Sequence, residues 1–349
     1  MKKNYFLLAA TTMMFAACAQ TDLVNEVVTE EAPQAIGFEG FANKATRAEL
    51  DDTGLQNAGF HVWGYKYDGT ITWDDPAVDG NQANYFEVFT GTDVTYSEQT
   101  WKPATAKYWD DTKNYNFYAV APKEPAENTY EINNGMIKIN NVQYAENDNS
   151  NDYLVARAGA TEIDGSTKRT VPFVFNHIMA KVSFKLIASV NKTITVTNLS
   201  MSGWSAATGT FTQSLTETPT TRVHGEWSYG TAADGDVQLV PNSSQTSITL
   251  DNYNGTAKAV ADSYIMVPQT INYTPAASGT PEQGLTFTIS YVIDGETFTD
   301  QVGVVNAQQI WGTDTHTTYI IGVGPNIIDF KGTVVGWTET DPVGDSTIQ

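Results

Sequence analysis

The chain has 349 residues, enough for two domains of ordinary size, and 41 % of them are hydrophobic against 17 % charged, so a sizeable core can be buried. A formal net charge of −21 argues against nucleic acid and against electrostatic docking on anionic lipid, both of which need clustered lysine and arginine. With Cys18 as the single cysteine, neither an intramolecular disulfide nor an all-cysteine metal site can form.

Residues 1–17 read as a secretory signal. Lys2 and Lys3 precede an apolar run from Tyr5 to Ala17 that is too short for a permanent membrane anchor and closes on small residues. Its end, Phe15-Ala16-Ala17-Cys18, is similar to a bacterial lipobox, in which the cysteine is lipidated and becomes the new N-terminus. Residues 18–35, rich in glutamate and without a clear period, are expected to be a tether with one short strand at 23–28.

Strand signals begin at Ile36-Gly37-Phe38. Phe60, Val62 and Gly64 alternate with His61, Trp63 and Tyr65 as in a half-buried strand, and a polar loop is expected before them, through Gln56-Asn57. Further strands are predicted at 85–89, 94–101, 115–121, 135–139 and 152–156, separated by turn groups such as Asp74-Asp75-Pro76.

The stretch Val171 to Ile187 carries two apolar runs. Val171, Phe173 and Phe175 form the first; Ile178, Ala180, Val182, Phe184 and Leu186 form the second, with Lys181, Ser183 and Lys185 on the opposite face. It lies mid-chain, where one β-domain can end and the next begin. Strands are predicted beyond it at 193–201, 209–212, 237–241, 247–250, 263–267, 317–323 and 327–335. Leu285 to Val302 reads as a hairpin about Asp294-Gly295, a pair suited to a type I′ turn. The expected organisation is all-β, with a sandwich at 36–188 and another at 189–349, the latter ending in a loose acidic tail.

No catalytic constellation is evident. His61, His177, His224 and His316 form no metal-binding pair, and His177 between two apolar runs reads as a structural histidine bonded to backbone. Asp148, Ser150 and Asp152 have the first spacings of a calcium loop, but Tyr153 and Gly159 stand where glycine and glutamate belong, so a polar loop is favoured and no metal or other cofactor is expected. Of the eight tryptophans, Trp73 and Trp101 lie near loops and are the candidates for surface aromatic contact; the others sit in or beside strand-like runs and read as core.

Several short segments together resemble the fimbrillin-like (FimA/Mfa-like) family of Gram-negative anaerobes: the lipobox at Cys18, Thr46-Arg47-Ala48, Tyr108-Trp109, Phe117 to Pro122, Asp152 to Ala156, Phe175 to Phe184, Val267-Pro268-Gln269, and Ile328-Asp329-Phe330 with Trp337. The resemblance implies two tandem transthyretin-like β-sandwich domains, export as a lipoprotein to the outer membrane, and assembly into type V pili. In stalk members of the family an arginine-specific protease cuts in the first strand region, and Arg47-Ala48 is the matching position here. The partners it implies are other pilin subunits, which fill the vacated groove with a strand, and outer-membrane lipid through Cys18; a host protein or glycan is the further partner considered. The alternative to a structural or adhesive pilus subunit is a glycan-binding surface lipoprotein. An enzyme is not expected.

Overall fold

The computed structural model describes residues 32–42, 51–69, 85–123, 130–133, 136–144, 152–213, 225–230, 236–242, 244–325 and 329–336. By internal contacts the chain divides after Pro33, and residues 34–349 form the unit that carries the described strands.

The first half opens with β1 (Phe38–Ala42), whose Phe38 and Ala42 point inward while Glu39 and Phe41 face solvent. A short helix, α1 (Asp52–Ala58), occupies the place expected to be a polar loop. Asp51 caps it by accepting from Gly54 N at 2.7 Å, Leu55 is its one buried residue, and Gly59 at φ 70° stops it. Then come β2 (Phe60–Tyr67), β3 (Tyr85–Ser97) and β4 (Thr100–Pro103). The single strand expected over 94–101 is instead a hairpin: Glu98 and Gln99, at φ 52° and 62°, turn the chain, and Ser97 pairs with Thr100. The half is completed by β5 (Asn114–Ala121), β6 (Tyr130–Asn133), β7 (Met136–Gln143), β8 (Leu154–Asp164) and β9 (Val171–His177).

The second half runs through β10 (Ala180–Ala188), β11 (Ile194–Ser202), β12 (Thr208–Gln213), β13 (Gly225–Tyr229), β14 (Val237–Val240), β15 (Ile248–Leu250), β16 (Lys258–Met266) and β17 (Gln269–Ile271). It ends with β18 (Thr286–Ile293), β19 (Glu296–Val304), β20 (Gln309–Trp311), β21 (Thr315–Val323) and β22 (Asp329–Gly336). Asp294 and Gly295 both adopt positive φ between β18 and β19, as the type I′ expectation requires.

The fold is all-β apart from α1. Seven strands close a barrel in the order β1-β4-β3-β2-β5-β8-β9, while β16-β10-β21-β22 and β14-β11-β18-β19 form two sheets, with β15 also on β11. The barrel encloses an aromatic core that includes Phe38, Phe60, Phe89, Phe117 and Phe173, and the two sheets share a second core around Phe184, Phe287 and Tyr319. Strand β10 pairs with β16 and β21, so hydrogen bonding passes from one strand system to the next at Ile178-Met179.

A third sheet, β13-β12-β7-β6, joins the halves. Ile137 and Ile139 on β7 and Phe211 on β12 pack with Tyr118 and Val120 on the outward face of β5 and with Ile265 on β16. This explains why every residue from Tyr115 to Ala121 is buried, Asn116 among them: β5 has core on both of its faces.

Candidate functional site

The strand that closes the barrel is β1. It pairs in parallel with β9 over five positions, Phe38 to Ala42 against Val171 to Phe175, and meets β4 at Phe38 opposite Trp101. Among the described pairings, β9 meets β8 at His177 with Leu154 and Asn176 with Val155. On its other edge, the ladder of Val171 to Phe175 is satisfied by β1, and without β1 that edge would be bare backbone.

Alternating side chains of the β1 segment fill the barrel. Ile36 is 2 % exposed, and its N–H donates to Lys107 O at 2.8 Å. The Phe38 ring lies 5.4 Å from Phe89, 5.7 Å from Phe173, 6.0 Å from Phe117 and 6.3 Å from Phe60 between centroids, stacked on Phe173 and edge-on to the rest. Gly40 lies where the rings of Phe60, Trp101 and Phe175 converge. Ala42 donates its N–H to Asp52 Oδ1 at 2.9 Å, which joins the end of β1 to the start of α1. On the outer surface, exposed Phe41 sits in register with exposed Val174.

Arg47-Ala48 falls in the connection between β1 and α1, outside the described residues, as do Cys18, Trp73 and the acidic tail. Trp101 corrects the sequence expectation. It is 8 % exposed on β4, 5.0 Å from Phe60 and 5.1 Å from Tyr96 between centroids, because its strand alternates into the barrel core; it offers no surface platform. Trp109, Trp204 and Trp311 are buried as expected, and Trp63 and Trp227 are half-buried.

His177 is structural, and its ring is paired with a carboxylate. Its Nδ1 lies 2.9 Å from both oxygens of Asp152, with both side chains fully buried. Asp152 is thereby committed to His177, and Asp148 and Ser150 of the calcium-like stretch lie outside the described residues. Among the described residues no three His, Cys, Asp or Glu side chains are grouped to hold a metal ion, and no helix is long and apolar enough to cross a membrane. Asp110 lies on the barrel surface, where the Thr112 hydroxyl and then the Lys66 ammonium at 3.1 Å hold its carboxyl below the usual carboxylate range.

A family model described as fimbrillin-like matches residues 46–337. The chain belongs to the fimbrillin-like family. Among solved structures, this fimbrillin-like chain is similar to a fimbrial protein from Bacteroides vulgatus, with 18 % identity, a TM-score of 0.60, and 87 % of this chain and 100 % of that one covered. A Bacteroides uniformis protein thought to act in cell adhesion gives 14 % identity and a TM-score of 0.47 over 88 % and 98 % of the two chains. The tip fimbrial protein Mfa3 from Porphyromonas gingivalis gives 12 % and 0.37 over 79 % and 94 %. At these identities the first of the three speaks for a shared fold, and the other two carry no argument. No protein of curated function matches the sequence.

Sequence reasoning found the strand at Ile36-Gly37-Phe38 but not its place as the closing strand. The inward series Ile36, Phe38, Gly40, Ala42 is the signal that could have indicated a strand with one deeply buried face.

Proposed function

We propose that this fimbrillin-like chain is a structural or adhesive subunit of a type V pilus, exported as a lipoprotein through Cys18 and joined to its neighbours by strand exchange after a cut at Arg47-Ala48. The observation that carries the reading is the place of β1. It closes the barrel, and the Arg47-Ala48 bond lies between it and α1, so one cut severs β1 from every other described strand.

The chemistry rests on backbone and core together. While the chain is intact, β1 is held at high effective concentration; once cut, it is a separate peptide that dilution can remove. Its loss would bare the β9 edge and the ring cluster around the Phe38 position. A strand from a subunit docked alongside would satisfy both at once. The acyl chains at Cys18 would hold the precursor at the outer membrane, since one chain alone binds marginally and two or more bind stably.

We take the two strand systems to be tandem transthyretin-like domains. The glycan-binding alternative loses Trp101 to the core and gains no observation in its favour.

N-terminal sequencing of subunits taken from assembled filaments tests the proposal. Chains beginning at Ala48 are expected, and Arg47→Ala should leave lipidated monomers. Filament subunits that retain residues 18–47 would overturn assembly by this route.

A further inference from the structure

We propose that the seat of β1 selects its occupant by side-chain pattern: an extended segment, parallel to β9, reading aliphatic, aromatic, glycine or alanine, and alanine at alternate positions. This rests on the strand-exchange reading and adds the chemistry of the partner that reading requires.

Each inward position has a different size. The first takes Ile36, whose backbone is already tied to Lys107 O at 2.8 Å. The second is a slot walled by Phe60, Phe89, Phe117 and Phe173, three of them edge-on, which a flat ring fills and an aliphatic side chain would leave partly void. The third is nearly closed. A Cβ added at Gly40 would lie 3.4 Å from atoms of Phe60, Trp101 and Phe175, ordinary contact for a methyl group with no room for anything longer. The fourth admits a methyl group: Ala42 is 5 % exposed, with its N–H committed to Asp52.

The outward positions are undemanding. Glu39 and Phe41 are both exposed, Phe41 at 51 %, so residues there can vary without disturbing the core. Direction is set because the slots differ in order along the strand. An occupant that placed its ring at the third position would meet Phe175 and Trp101.

The test uses the full chain with a recognition site for a sequence-specific protease placed over residues 44–49, so that the cut does not depend on Arg47. The cut protein is incubated in mild denaturant with fluorescent peptides spanning 34–43. The native peptide should replace the resident strand. Phe38→Ala in the peptide should weaken uptake about a hundredfold and Gly40→Leu about tenfold or more, while Phe41→Ser should leave it within about twofold. Equal uptake of all four peptides would overturn selection by pattern and leave strand exchange standing. If the resident strand departs and no peptide enters, both fall. Intact filaments whose subunits keep residues 18–47 would sink the exchange reading without altering the peptide ranking.

Discussion

Asp52 Oδ1 accepts a hydrogen bond from the Ala42 N–H at 2.9 Å, so the last residue of β1 and the first of α1 are held together on either side of Arg47. In the uncut chain Asp52→Ala is expected to cost about 1 kcal/mol, the net worth of one such bond. In the cut chain the same loss should speed departure of the severed strand by about fivefold. Chemical denaturation of the first form and chromatography of the second measure the two effects. An unchanged departure rate would show that the clasp does not hold the strand.

Gly64 lies on β2 where an added Cβ would come 2.9 Å from the rings of Phe117 and Phe89, both buried. Those rings have no free space to retreat into, so Gly64→Ala should destabilise by about 1–3 kcal/mol. A thermal melt indistinguishable from the parent chain would mean the barrel core is looser than the contacts imply.

The buried Asp152 and His177 hold the start of β8 to the end of β9. Removing one member takes a buried hydrogen-bond partner from the other, so Asp152→Ala should cost about 1–3 kcal/mol. Replacing both with apolar residues of similar volume should recover much of that loss. Denaturation midpoints of the single and double variants decide it; a double variant worse than the single would show that the pair is worth more than its desolvation costs.

Burial pushes the Tyr118 hydroxyl up to about 12, against a smaller opposite pull from the Arg157 guanidinium 5.6 Å from its ring. A raised folded-state value means the native state keeps its proton after the unfolded chain has lost it. The stability this contributes is whole below about pH 10 and declines as pH rises toward about 12. Tyr118→Phe should flatten that alkaline decline, as read by unfolding at stepped pH. The phenolate absorbance of the parent should show several tyrosines titrating late, Tyr130 and Tyr319 being pushed up by burial as well, and Tyr118→Phe should remove one of them.

Much of the strand content was legible because so many strands have one wet face. Phe60 to Trp63 and Thr286 to Ile293 alternate cleanly, and Asp294-Gly295 names its own turn. What period two cannot reveal is which strands meet. The parallel contact of β1 with β9 joins residues far apart in sequence and leaves no local trace. The turn at Glu98-Gln99 was hidden because neither residue type ordinarily adopts positive φ. For Trp101, nearness to a turn suggested exposure, whereas the two-residue alternation of β4 turns its ring inward. Asp152 and His177 each carried an ambiguous signal alone, and only the pairing of β8 with β9 brings them together.

The parallel ladder between β1 and β9 has a mechanical consequence. A strand seated there and pulled along its own length must strain all five rungs together, whereas one peeled sideways would lose them singly. A fibre built by filling this seat would resist drag most strongly when the flow runs along the strand, and would give way soonest to a load that lifts one end.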